Sequence, residues 1–192
     1  MRIVAGKWRG RTLVAPRGRS TRPTSDRVRE ALFDVLTARL GPSLQGAVVL
    51  DLYAGTGALG LEAISRGAGR AVLVERDDTA LRALDANVTA LGAQDAVSIV
   101  AGDVAGAGLD RALALGPFTL LLLDPPYRIE ASDVASALER CDSVLSPRAL
   151  VAWEHAAFGR ILAPAGWELS RTYRYGDSAV SILHRVQGGS GA

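Results

Sequence analysis

Ala47-Val48-Val49-Leu50-Asp51-Leu52-Tyr53-Ala54-Gly55-Thr56-Gly57-Ala58-Leu59-Gly60 is the stretch on which the reading of the chain turns. Four apolar residues in a row predict a short buried strand, with Asp51 near its carboxyl end. The glycines that follow let the backbone take φ > 0 and approach a ligand closely. Leu59, Leu61, Ala63 and Ile64 then open a helix, so backbone N–H groups and a positive helix end point at the same spot. Strand, Gly-rich turn and helix in that order predict a nucleotide-type cofactor site. A tight βα turn without a ligand is the plain alternative, but such a turn rarely needs three glycines and an acid at a buried strand end.

The turn alone leaves two cofactors open. Gly55-Thr56-Gly57-Ala58-Leu59-Gly60 fits G-x-G-x-x-G, and Glu75 follows about 20 residues on, as a nicotinamide site requires. Two features favour S-adenosylmethionine. Asp51 stands four residues before the first glycine, where a dehydrogenase strand is usually apolar, and an acid there can face the methionine ammonium. The second feature is Asp124-Pro125-Pro126-Tyr127, far downstream.

Outward from this stretch the pattern alternates. Ala71-Val72-Leu73-Val74 predicts a second strand ending at Glu75, Val97-Ser98-Ile99-Val100 a third, and Phe118-Thr119-Leu120-Leu121-Leu122-Leu123 a fourth ending in Asp124. Ala149-Leu150-Val151-Ala152-Trp153 predicts a fifth. Helices fall between them, one marked by Leu81, Leu84, Val88 and Leu91 and closed by Gly92, others near 108–115 and 131–140. Residues 167–174 and 179–184, joined by Tyr175-Gly176-Asp177-Ser178, predict a closing antiparallel hairpin. Repeated βα units imply an α/β fold, a parallel sheet with helices on both faces and ligands outside the carboxyl ends of the strands. Asp51, Glu75, Asp103 and Asp124 all lie at such ends. Any one could be an ordinary strand-end acid; four in register beside a Gly-rich turn predict a site.

Each acid suits one part of adenosylmethionine. Glu75 can accept from both ribose hydroxyls in charge-assisted hydrogen bonds. Asp103 can accept from the adenine amino group while the Val104 N–H meets a ring nitrogen. Gly55 and Gly57 leave room for the methionine part, and Tyr53 and Ala54 lead into the turn and complete the cofactor-binding set with Asp51. Asp124, Pro125, Pro126 and Tyr127 are the candidate catalytic residues. An exocyclic amine is a poor nucleophile because its lone pair is delocalised into the ring. The Asp124 carboxylate and Pro125 carbonyl can bind both amine hydrogens, and the prolines fix that carbonyl's direction. Tyr127 offers a ring for stacking an extruded base and a π-face for positive charge developing on it.

The N-terminal segment carries a different signal. Residues 1–29 hold nine Lys/Arg and one acid, a charge of +8, whereas the remainder carries −6. A basic arm on an acidic body reads as a polyanion contact; a merely solvated arm is the bland alternative. Arg2-Ile3-Val4-Ala5 and Arg11-Thr12-Leu13-Val14-Ala15 flank Gly6-Lys7-Trp8-Arg9-Gly10, predicting a β-hairpin with a basic, Trp-bearing tip. Lys7, Trp8, Arg9, Arg11, Arg17, Arg19 and Arg22 are the candidate RNA contacts, suited to phosphates and stacked bases. A Pro/Gly/Arg linker follows over 16–23, then Thr24 or Ser25 caps a helix with Asp26 in its first turn, ended by Gly41-Pro42. The expected organisation is an arm and linker over 1–23, a body over 24–187 and a flexible tail over 188–192.

Composition bounds the rest. At 192 residues and 48% hydrophobic the chain suits one domain with a sizeable core. No apolar run reaches the ~18 residues of a membrane span, and Met1-Arg2-Ile3-Val4-Ala5 lacks the apolar region of a signal peptide. A single cysteine, Cys141, forms no internal disulfide and fits a reducing cytosol. His155 and His184 are isolated and predict no metal site; Glu154, near the end of the fifth strand, has no assigned role.

Asp51-Leu52-Tyr53-Ala54-Gly55-Thr56-Gly57-Ala58-Leu59-Gly60-Leu61-Glu62-Ala63 together with Asp124-Pro125-Pro126-Tyr127 resembles a Rossmann-type amino-methyltransferase. Gly6-Lys7-Trp8-Arg9-Gly10-Arg11-Thr12-Leu13 and Arg22-Pro23-Thr24-Ser25-Asp26-Arg27-Val28-Arg29-Glu30-Ala31-Leu32-Phe33 narrow the resemblance to the RsmD family, over nearly the whole chain. Tyr127 stands where some members have Phe, which preserves the stacking face. The resemblance implies a Rossmann-like seven-stranded methyltransferase sheet with a reversed last strand, plus the N-terminal β-hairpin. It also implies S-adenosylmethionine as cofactor and methylation of a guanine N2 in bacterial 16S ribosomal RNA, within an assembling or assembled small subunit. A cytoplasmic monomer is the matching expectation. An amino-methyltransferase of DNA or protein glutamine shares residues 124–127 but not the arm. A nicotinamide oxidoreductase leaves both unused, and a pure RNA-binding module is more distant still.

Overall fold

The computed structural model describes residues 1–15, 26–41 and 44–186. After an N-terminal turn come α1 (Asp26–Leu40), β1 (Val48–Leu52), α2 (Ala58–Ser65), β2 (Arg70–Glu75), α3 (Asp78–Leu91) and β3 (Val97–Ala101). Then follow α4 (Ala107–Leu113), β4 (Phe118–Leu123), α5 (Ala131–Cys141), β5 (Leu145–Ala156), β6 (Trp167–Tyr175) and β7 (Ser178–Arg185). The strands form one sheet in the order β3-β2-β1-β4-β5-β7-β6. Its first five strands pair in parallel, and β7 runs antiparallel to both β5 and β6. This is the α/β sheet with a reversed last strand that the resemblance implies.

The central strands are buried on both faces, which is why β1, β2 and β4 read as nearly continuous apolar runs rather than alternating ones. One core layer gathers Leu32, Phe33 and Leu36 of α1, Leu61 and Ile64 of α2, and Leu84 and Val88 of α3. The other gathers Leu109 of α4, Val134 and Leu138 of α5, and Trp153 of β5. Helix α3 starts where the Asp77 carboxylate accepts from the N–H groups of Thr79 and Ala80. It stops at Gly92, whose φ of 62° lets its N–H turn back onto the last carbonyls.

The fifth strand extends beyond the expected apolar core. Along 150–156 it pairs with β7, so Glu154 and His155 are held as strand by Val180 and Ala179. A partner strand, not local propensity, decides that end.

The N-terminal hairpin is short: one antiparallel bridge, Arg2 to Thr12, with Ile3 donating to Arg11 O at 2.9 Å and Leu13 to Met1 O at 3.0 Å. Its tip is a 3-10 turn over Gly6–Trp8. The hairpin does not stand off the body. Ile3 and Leu13 are buried in the same layer as α1 and α2. The N–H groups of Val4 and Ala5 donate to the Glu62 carboxylate at 2.8 and 3.0 Å, and Trp8 N–H donates to Ser65 Oγ at 3.0 Å. Glu62 is fully buried and also accepts from Arg66 Nε at 2.8 Å. A buried carboxylate requires such partners, because an unpaired one costs several kcal/mol. The linker over 16–23, the Thr24 or Ser25 cap and the tail over 188–192 lie outside the described residues.

Candidate active site

The loops at the carboxyl ends of β1 to β4 converge around the Gly-rich turn. Asp51, next to last in β1, is 1% exposed. Its Oδ2 accepts from the Gly60 N–H at 2.9 Å, and its Oδ1 is buried without a hydrogen-bond partner. Burial pushes this carboxyl up to about 7, against the stabilising Gly60 N–H and with a further upward push from the Glu75 charge. A buried, half-satisfied carboxyl beside an open turn has the capacity to receive a cation.

The turn is built to come close. Gly55 (φ 56°) has open space where a Cβ would sit. Gly57 (φ 83°) is the N-cap of α2, and a Cβ there would press on Leu84 Cδ1 at 2.4 Å. Gly60 serves packing instead: its Cβ would meet Leu73 at 2.9 Å and Asp51 Oδ2 at 3.1 Å. Between strand and glycines, Tyr53 adopts φ 65°, a left-handed conformation unusual for an aromatic residue. Burial, helped by the charge of Asp103, raises its phenol to about 12. The neighbouring Ala54 is buried, and its N–H donates to Val74 O at 2.9 Å.

Glu75 closes the other side of the turn. Its Oε2 accepts from the Gly55 N–H at 2.8 Å, while Oε1 accepts from the N–H groups of Arg76 and Asp77, each at 2.8 Å. The expected ribose acceptor therefore also fixes the turn, and one further lone pair on Oε2 remains for a hydroxyl. At the end of β3, Asp103 Oδ1 accepts from Ala105 N–H at 2.9 Å and Oδ2 pairs with Arg76 Nη1 at 2.6 Å. The Ala105 N–H first, and the guanidinium beside it, hold the Asp103 carboxyl below the usual range. Val104 is buried beside it. Nothing in a single sequence ties Arg76 to Asp103, so this ion pair emerges only from the fold. The unpartnered Asp51 oxygen, the room at Gly55 and the row of acceptors at Glu75 and Asp103 fit the ammonium, methionine chain and adenosine of S-adenosylmethionine.

The 124–127 turn follows β4, the next strand over from β1. Asp124 is half-buried, Pro125 buried, and Tyr127 53% exposed. Pro126 O accepts from Ile129 N–H at 2.8 Å, which closes the turn. The Tyr127 hydroxyl lies 3.0 Å from Ser178 Oγ at the start of β7, so the ring is tethered rather than loose. Pro125, Pro126 and Tyr127 form one wall of a cleft of about 470 Å³ whose other side includes Trp153, Glu154 and His155. His155 is no free base within it. Its Nδ1 donates to Ala156 O at 2.8 Å, which leaves Nε2 to accept from Ser181 Oγ at 2.9 Å. Burial first lowers its pKa and keeps it neutral, consistent with that tautomer.

The candidate RNA contacts divide. Lys7 and Arg9 are exposed, with the Lys7 ammonium 4.3 Å from the Trp8 ring centre. Trp8 itself is half-buried against the core layer under the hairpin. Arg11 donates to Ala90 O at 2.7 Å and so caps the end of α3 while exposed. Arg17, Arg19 and Arg22 lie outside the described residues. One linking residue escaped the sequence: Asn87 of α3, 1% exposed, accepts from Val14 N–H at 2.7 Å and donates to Val14 O and Thr56 O at 3.1 and 3.0 Å. It joins the N-terminal segment directly to the Gly-rich turn.

Comparison with known proteins identifies the family. The family described as Conserved hypothetical protein 95 matches residues 1–184. The ribosomal RNA small subunit methyltransferase D of Escherichia coli K12 is 36% identical over 194 residues, covering 100% of this chain and 94% of that protein. The Haemophilus influenzae protein of the same name is 32% identical over 169 residues, 88% of this chain and 86% of its own. Among solved structures, a hypothetical protein of Thermus thermophilus superposes with a TM-score of 0.80 at 35% identity, covering 97% of this chain and 99% of that one. An Escherichia coli structure gives 0.79 at 36%, with 96% and 97% covered. The chain belongs to the Conserved hypothetical protein 95 family, that of the ribosomal RNA small subunit methyltransferases D.

Proposed function

We propose that this protein transfers a methyl group from S-adenosylmethionine to the exocyclic N2 amine of a guanine in 16S ribosomal RNA of the small ribosomal subunit. The observation that carries the reading is the pairing of two features on adjacent strand ends. One is a buried carboxylate with an unpartnered oxygen beside a Gly-rich turn; the other is Asp124-Pro125-Pro126-Tyr127 one strand away. The family's named members support ribosomal RNA as the substrate class.

In this reading Asp51 holds the methionine ammonium, Gly55 and Gly57 admit the chain, Glu75 accepts from the ribose, and Asp103 and Val104 meet the adenine. When bound, the cofactor supplies an electrophilic methyl whose bonding pair leaves with the sulfonium sulfur. Asp124 and the Pro125 carbonyl accept both hydrogens of the amine and hold its lone pair along the line of attack, so alignment and electrostatics do most of the work. Tyr127 stacks on the base and stabilises its transient positive charge. The methylated amine then sheds its surplus proton to solvent. The hairpin arginines and Lys7 add non-specific attraction for the RNA backbone.

The test is incubation with labelled S-adenosylmethionine and small-subunit RNA, both naked and in particles at several assembly stages, followed by mapping of the modified nucleotide. Label in one guanine N2 is the expected result. Label in DNA or a glutamine instead would shift the assignment to another amino-methyltransferase class.

A further inference from the structure

Glu154 takes no part in the reaction derived above, although it stands beside the catalytic turn. It is 6% exposed near the end of β5 and is paired in register with Val180 of β7. Side chains alternate along a strand, and the two core layers show which way each one points. Ala152 and Val180 belong to the layer of α1 and α2, Trp153 and Leu183 to the opposite one. Glu154 therefore faces the α1 and α2 side, where Gly60 of α2 holds Asp51. His155 turns the other way, to Ser181.

Two registers tie Glu154 to the catalytic turn. Leu123, the last residue of β4, pairs with Trp153, so Asp124 and Glu154 come next along neighbouring strands, which lie about 4.8 Å apart. Ser178 pairs with Ala156, two residues beyond Glu154 on the same face and about 7 Å along the strand. The Tyr127 hydroxyl lies 3.0 Å from Ser178 Oγ. A base lying on Tyr127 with its amine at Asp124 is thus bordered by Glu154. Guanine carries N1–H next to its N2 amine, an unbroken row of donors, whereas adenine and cytosine have a bare ring nitrogen next to theirs. An ionised carboxylate only accepts. Against N1–H it makes a charge-assisted hydrogen bond; against a bare nitrogen it sets lone pair on lone pair. Glu154 already has a partner in the free protein, but two oxygens offer about four acceptor sites, so a further donor can be taken. We propose that Glu154 accepts the N1–H of the target base and so selects a guanine amine over those of adenine and cytosine; the proposal rests on the guanine reading above.

Substrate RNAs with 2-aminopurine or 6-thioguanine at the target position test it. The first keeps the N2 amine but has a bare N1 and no O6; the second keeps N1–H and alters only the 6 position. kcat/KM is measured on these and on guanine RNA for the parent protein and for Glu154→Gln, whose amide can accept from N1–H or donate to a bare N1. The parent protein should favour guanine over 2-aminopurine by on the order of 10²-fold, the scale of a lost charged hydrogen bond, and should treat 6-thioguanine much as guanine. Glu154→Gln should lose about tenfold on guanine but nothing on 2-aminopurine, so the preference falls to about tenfold. Unchanged adenosylhomocysteine affinity shows that the variant is folded. A folded variant that slows both RNAs alike, leaving the preference intact, has lost only a structural support and overturns the proposal. The parent protein decides alone if the variant does not fold: equal rates on guanine and 2-aminopurine, or a loss on 6-thioguanine as large as on 2-aminopurine, overturn the inference and leave the function standing. A parent protein that methylates none of the three RNAs overturns both.

Discussion

Asp51 shows how one buried carboxylate can couple cofactor binding to pH. With its pKa raised to about 7 by burial, the free protein holds this proton over much of the range in which an exposed aspartate has lost it. An ammonium is bound by the ionised form only, so binding must expel the proton. Affinity for adenosylhomocysteine should therefore rise as pH increases from about 5.5 to 7, by close to tenfold per unit at the acid end, before the ligand's own amine deprotonates. Asp51→Asn should bind more weakly and lose the acid limb. Calorimetry across that range checks both, and a flat profile in the parent protein would place the ammonium elsewhere. Tyr127 is open to an equally local test. Tyr127→Phe keeps the ring and gives up only the Ser178 contact, so methyl transfer should remain largely intact. Tyr127→Ala removes the stacking face and should cost about 1–3 kcal/mol of base positioning. Loss of activity in Tyr127→Phe would instead assign chemistry to the hydroxyl.

Two glycines separate what holds the elements together from what binds the ligand. Gly6 (φ 80°) sits where the N-terminal 3-10 turn meets the end of α2, and a Cβ there would lie 1.8 Å from Ser65 O and 2.2 Å from its carbonyl carbon. Backbone cannot yield as a side-chain tip can. Gly6→Ala should therefore destabilise the fold by about 2–3 kcal/mol or more, by lifting the hairpin off Glu62 and Ser65. Gly55 (φ 56°) has no neighbour where its Cβ would point. Gly55→Ala should cost only about 1 kcal/mol of stability, from the left-handed backbone, yet sharply weaken cofactor binding. Denaturant titration read beside cofactor affinity distinguishes the two, and the reverse ranking would contradict this division. The sequence announced both glycines as turn residues. Which one meets backbone and which meets open space depends on α2 and the hairpin being side by side, and that contact is not written in local sequence.

At the scale of the molecule, alternating apolar runs made the parallel sheet legible, because strands buried on both faces must be apolar throughout. Strand-end acids and glycines made the candidate cofactor edge legible for a similar reason: special backbone and buried charge have few sequence solutions. Contacts between distant segments stayed hidden. The basic N-terminus read as an arm, yet Ile3, Leu13 and Glu62 sew it into the core, because single apolar residues in a short segment carry no period. In the proposed reaction Asp124 acts on the amine rather than on cofactor or RNA binding. Single-turnover methylation of small-subunit RNA by Asp124→Ala tests it most directly. The rate should fall on the order of 10²–10³-fold, as when one preorganised polar group is lost, while affinities for adenosylhomocysteine and RNA stay within about twofold. An unchanged rate, or a loss that follows cofactor or RNA affinity alone, would contradict it.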